Sequence, residues 1–138
     1  MVPKAESELA AACVLVIEDE VLVRTLLAEE LRDAGFRVVE AAHADDALAC
    51  LNAGLAIDLI FSDIRMPGTL TGLDLARRAR ERDPLVPIIL TSGNEEPARE
   101  AGLARFIAKP YGMAEAIRAV REALGLAPER SASEYRDG

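Results

Sequence analysis

The stretch Cys13-Val14-Leu15-Val16-Ile17-Glu18-Asp19-Glu20 carries the first decisive signal in this chain. Five apolar residues, two of them Val and one Ile, end abruptly on three acids. The short length and the β-branched side chains favour a strand over a helix. The run is continuous rather than alternating, which is the pattern of a strand covered on both faces, as in a parallel sheet. Working outward, Val23, Leu27, Leu31 and Ala34 recur at helical spacing through residues 20–34, and Gly35 supplies a stop.

The same alternation continues along the chain. Strands are expected at 36–41, 57–62, 87–91 and 105–108, and helices at 44–53, about 71–82 and about 112–124. Five strands alternating with helices imply βαβ crossovers, hence an α/β fold: a doubly wound, five-stranded parallel sheet with helices on both faces. In sheets of this kind ligands gather beyond the carboxyl ends of the strands. Glu18 and Asp19 end the first strand, Asp63 the third, Thr91 the fourth and Lys109 the fifth, so these residues converge on one edge.

Carboxylates brought together repel one another unless a counter-charge joins them. A hard divalent cation fits, since Mg²⁺ takes oxygen ligands and commonly binds through one or two carboxylates plus phosphate oxygens. Asp19 and Asp63 are the direct candidates. Glu18, one methylene longer, suits a link through water, and a backbone carbonyl near Arg65 can fill a further position. A carboxylate is also a nucleophile toward phosphorus, giving an aspartyl phosphate. Around such a centre Lys109 would add positive charge and the Thr91 hydroxyl a hydrogen bond to a phosphoryl oxygen.

The set Val14-Leu15-Val16-Ile17-Glu18-Asp19-Glu20, Asp63-Ile64-Arg65-Met66-Pro67-Gly68 with Gly72, Thr91-Ser92 and Lys109-Pro110 resembles the receiver domain of two-component response regulators. Each motif alone is common; their order and strand-end placement together are specific. The resemblance covers about residues 12–125 and implies a flavodoxin-like (βα)5 fold. It implies Asp63 as phosphorylation site, Glu18, Asp19, Asp63 and the Arg65 backbone carbonyl around Mg²⁺ (Mn²⁺ as a substitute), Thr91 and Lys109 as assisting residues, and Thr91 with Phe106 as a switch. It further implies a histidine kinase or histidine phosphotransfer protein as donor, and a cis Lys109-Pro110 bond. The function so implied is that of a signalling phospho-acceptor rather than an enzyme, one that assists only its own phosphorylation and dephosphorylation. Two features depart from the usual pattern. Glu18 stands where many members have Asp. Only 17 residues, 92–108, separate Thr91 from Lys109, so a fourth helix has room for only ~1–2 turns, with Pro97 and Gly102 restricting it further.

Rival chemistries fit less well. A haloacid-dehalogenase-type phosphatase usually needs a second Asp two residues after the nucleophile, where this chain has Arg65. A flavin carrier of the same fold would meet repulsion between its phosphate and Glu18-Asp19-Glu20, and no glycine-rich phosphate loop is present. A pseudo-receiver that only binds a partner stays open on residues alone.

Composition sets the outer bounds. A chain of 138 residues suits one domain, read as an arm at 1–11, the receiver at 12–125 and a polar tail at 126–138 expected to be disordered. The net charge of −8 and pI near 4.7 disfavour nucleic acid as a partner. No apolar run approaches the ~20 residues of a membrane span, and Met1-Val2-Pro3-Lys4-Ala5-Glu6 does not read as a secretory signal. Cys13 and Cys50 have no metal or redox spacing and are expected to be buried free thiols, in keeping with a cytoplasmic setting. Glu20 is read as a helix N-terminal charge, and His43 as a surface or capping residue. The overall expectation is a stand-alone regulator, monomeric or weakly dimeric, that signals by protein contact to an unknown target; a piece of a longer regulator or hybrid kinase is the alternative.

Overall fold

The computed structural model describes residues 11–93 and 104–127. Among these residues the chain runs β1 (Cys13–Ile17), α1 (Val21–Asp33), β2 (Arg37–Ala41), α2 (Ala44–Asn52), β3 (Leu59–Asp63), α3 (Gly72–Arg82), β4 (Ile88–Ser92), β5 (Arg105–Ala108) and α4 (Met113–Ala123). All strand pairs are parallel, in the order β2-β1-β3-β4-β5. The doubly wound parallel sheet expected from the sequence is therefore present. Residues 1–10 of the arm expected at 1–11, most of the tail, and the short fourth helix with Pro97 and Gly102 lie outside the described residues.

The continuous apolar run of β1 is explained by the two layers it separates. Val14 and Val16 face a core shared with Leu27 and Leu31 of α1 and Ala116, Ile117 and Val120 of α4. Leu15 and Ile17 face the other core, with Ala44, Ala47 and Leu51 of α2 and Leu75, Ala76 and Ala79 of α3. Successive strand side chains point to opposite faces, so a strand with a layer on each side has no position left for a polar residue.

Strand ends differ slightly from the sequence reading. The third strand was expected from Ile57, yet it starts at Leu59, because the Asp58 side chain accepts the Cys13 N–H (2.8 Å) and its own N–H donates to the Cys13 carbonyl (2.8 Å). It continues through Asp63, whose Cα pairs with that of Thr91, and β4 likewise extends to Ser92. Leu126, the first residue of the expected tail, is buried against the α1/α4 layer, and the Ala127 carbonyl accepts from Arg121 Nε at 2.8 Å. Cys13 is buried; Cys50, expected to be buried as well, is only half-buried.

Candidate functional site

Parallel pairing puts the ends of β1, β3, β4 and β5 side by side. Asp63 lies in register with Thr91, Ser62 with Ile17, and Ser92 with Ala108. Glu18 and Asp19 follow directly on Ile17, and Lys109 on Ala108. One carboxylate oxygen from each of Glu18, Asp19 and Asp63 lies within 4.8 Å of the others. Glu18 (3 % exposed) and Asp63 (7 %) are buried, and Asp19 is partly open to solvent. The Lys109 ammonium donates to Asp63 Oδ2 at 2.8 Å and to Glu18 Oε1 at 3.2 Å.

The surrounding backbone completes the pocket. Glu18 Oε2 accepts the Glu20 N–H (3.1 Å), and Asp63 Oδ1 accepts the Arg65 N–H (3.3 Å). The Ser62 hydroxyl donates to the Asp63 carbonyl (2.9 Å). Ile64 N donates to the Thr91 carbonyl (2.9 Å), and Lys109 N to the Ser92 carbonyl (2.8 Å), tying the strand ends together past the ladder. The Lys109-Pro110 peptide is cis, as the resemblance implied. Burial raises the Glu18 carboxyl above its ordinary range; the Glu20 N–H and Lys109 oppose this, while Asp63 adds to it. For Lys109, burial would lower the ammonium, but the hydrogen bond and charge of Asp63, then those of Glu18, outweigh it and the group stays protonated well above its ordinary value.

The donor set fits a hard divalent cation. Three carboxylate oxygens at mutual ligand distance, two from buried groups and one facing solvent, can bind such an ion while leaving coordination positions for water. Lys109 is the protein's own counter-charge to the two buried acids, Glu18 and Asp63.

Thr91 is buried (1 % exposed) next to Asp63 in register. Phe106 is half-buried, stands beside Leu90 and packs against the α2/α3 layer, so it is core on one side and open on the other. The Arg65 side chain is exposed, and the contact seen from this residue to Asp63 is its N–H. Glu20 is the N-cap residue of α1 but makes no side-chain cap; its backbone N–H serves Glu18 instead. His43 takes the N-cap position of α2, also without a side-chain cap, and its Nδ1 is buried without a hydrogen-bond partner.

Three nearby residues bear on the site without a motif that marks them in the sequence. Arg24 donates to the Glu18 carbonyl at 2.7 Å, the Ser62 hydroxyl braces Asp63, and Tyr111 stacks edge-on to Phe61 with centroids 5.8 Å apart. Tyr111 directly follows Lys109-Pro110 and could have been suspected from that. Arg24 reads as one more polar helix position, and nothing local marks its contact.

Buried acids at strand ends face a lysine from the last strand on a doubly wound parallel sheet, an acidic pocket suited to a hard cation. The sequence profile of the response regulator receiver domain matches residues 14–121. The transcriptional regulatory protein ResD of Bacillus subtilis is 36% identical over 124 residues, covering 86% of this chain and 50% of ResD. The C4-dicarboxylate transport transcriptional regulatory protein DctD of Rhizobium meliloti is 38% identical over 119 residues, covering 83% of this chain and 25% of DctD. Among solved structures, a response regulator receiver protein from Sinorhizobium medicae superposes with a TM-score of 0.78 at 33% identity, covering 86% of this chain and 98% of that one. The response regulator protein TrrA of Thermotoga maritima, solved in complex with Mg(2+)-BeF, gives a TM-score of 0.71 at 29% identity, covering 81% and 98%. The chain belongs to the response regulator receiver domain family of two-component systems. It spans half of ResD and a quarter of DctD.

Proposed function

We propose that this receiver accepts a phosphoryl group on Asp63 from the phosphohistidine of a histidine kinase or histidine phosphotransfer protein, in the cytoplasm, and signals through altered protein contacts. The observation that carries this reading is the joint placement of Glu18, Asp19 and Asp63 with the Lys109 ammonium 2.8 Å from Asp63. Glu18, Asp19, Asp63 and the Arg65 backbone carbonyl would hold Mg²⁺ or its substitute Mn²⁺. Bound there, the cation supplies neutralising charge for the acids and for the incoming phosphoryl oxygens.

The chain's own groups do the rest. A carboxylate oxygen of Asp63 forms the new P–O bond as the P–N bond of the donor breaks, and the departing imidazole takes up a proton. Lys109, kept protonated by its acidic neighbours, offers charge to the transferring group. Thr91, adjacent in register, offers its hydroxyl to a phosphoryl oxygen and with Phe106 passes the change to the surface. The chain turns over no outside substrate in this reading. The fusion of such domains to transcriptional outputs is a property of the relatives; the target of this chain is a protein surface of unknown identity.

The test is incubation with acetyl phosphate and Mg²⁺ followed by intact-mass measurement. One added phosphate is expected in the wild type, abolished by chelation and by Asp63→Asn. A wild type that stays unmodified would identify a partner-binding pseudo-receiver instead.

A further inference from the structure

Glu18 is held from several directions at once. Its N–H donates to the Ala41 carbonyl of β2 (3.1 Å), its two carboxylate oxygens accept from Glu20 N–H and Lys109, and its carbonyl accepts from Arg24 at 2.7 Å. Arg24 sits in the first turn of α1, with its side chain only 18% exposed. A second edge of the same guanidinium faces β2: Nε lies 3.4 Å from Glu40 Oε1. Glu40 in turn holds Arg32 at 3.2 Å through its other oxygen, and its Cα pairs with Val16 of β1. The planar fork of Arg24 therefore spans from the edge strand to the end of β1, which a point charge cannot do.

The Glu18 carbonyl belongs to the peptide that joins the two neighbouring acids. A peptide is rigid and planar, so fixing that oxygen fixes the direction in which Asp19 leaves it. The acids repel, and without the clamp the peptide can rotate to separate them. Mg²⁺ demands near-ideal octahedral geometry, so small rotations are costly to binding. Partners that orient metal ligands from behind commonly account for 10–100-fold in affinity.

We propose that Arg24 is a positioning residue of the acidic site, acting through the Glu18 carbonyl and itself oriented by Glu40. The inference rests on the cation-dependent reading of the Asp63 site, and the experiment separates the two. Mg²⁺ affinity is measured by calorimetry for wild type, Arg24→Met, Arg24→Lys and Glu40→Gln, with thermal melts and amide NMR spectra of the metal-free proteins alongside. Arg24→Met is expected to weaken Mg²⁺ about 10-fold and to shift the Asp19 and Glu20 amide signals before any metal is added. Arg24→Lys, which keeps the charge but cannot fork, recovers part of the loss. Glu40→Gln, which keeps the guanidinium but loosens the contact that orients it toward the Glu18 carbonyl, falls between wild type and Arg24→Met and stands in for it should that variant not fold. A lowered melting temperature with Mg²⁺ affinity within twofold of wild type in all folded variants would make Arg24 merely structural and overturn the proposal. A wild type that binds no Mg²⁺ overturns both this inference and the reading beneath it.

Discussion

At the residue scale, the site is a balance between desolvated acids and one ammonium, and Tyr111 senses that balance from beside it. Burial, then the negative charge of Glu18, hold its phenol at about 12, with Lys109 pulling the other way and Asp63 adding to the rise. An unperturbed tyrosine titrates near ~10. Between those values the folded protein keeps a proton that the unfolded chain has lost. The contribution of Tyr111 to stability is thus complete below about 10 and is lost as pH rises through about 12, by roughly 2 kcal/mol in all. The chain has two tyrosines and no tryptophan, so ultraviolet titration of a Tyr135→Phe variant reads Tyr111 directly. A midpoint near the unperturbed value in the folded protein would contradict this placement.

At the element scale, α3 shows how a helix start can serve a site it does not enter. Thr71 caps the helix, its hydroxyl accepting from Asp74 N–H (3.1 Å) while Asp74 accepts the Thr71 N–H (3.0 Å). This capping box fixes the start of α3. Gly72, just inside, donates its N–H to the Ile64 carbonyl at 2.9 Å and packs flat against the chain leaving β3. A Cβ at this position would collide with the Asp63 carbonyl oxygen and lie 2.9 Å from Ile64 Cα. Since both neighbours are backbone, neither can swing aside. Gly72→Ala is expected to destabilise the fold by about 1–3 kcal/mol and to slow modification of Asp63 by acetyl phosphate. An unfolding midpoint in urea equal to that of wild type would refute the close approach.

At the scale of the whole molecule, stability comes from the two layers on either side of the sheet. Ile89 is fully buried in the α1/α4 layer, whereas Leu85, in the turn before β4, is 87% exposed. Ile89→Ala should cost about 2–5 kcal/mol, by lost transfer energy and the cavity left behind. Leu85→Ala should change stability by less than about 0.5 kcal/mol. Urea unfolding of both variants, with unchanged denaturant dependence, checks the pair. Equal losses would mean that the core does not lie where the sheet places it. Among the described residues no helix is long and apolar enough to cross a membrane, and the apolar side chains are accounted for chiefly by these two layers.

The sequence by itself determined the parallel sheet and the membership of the acidic pocket. Both are written in local patterns: unbroken apolar runs such as Cys13–Ile17, each ending on a polar residue, and a rule of topology that gathers strand ends. It could not show the true start of β3, because Asp58 substitutes a side-chain hydrogen bond for a ladder bond only when Cys13 is already beside it. It could not show the Lys109 bridge to both Glu18 and Asp63, nor the fork of Arg24 between Glu40 and Glu18. Those contacts join residues from separate elements at ångström precision. Pattern along a chain records which face a residue takes, whereas such distances exist only once the strands and helices have packed.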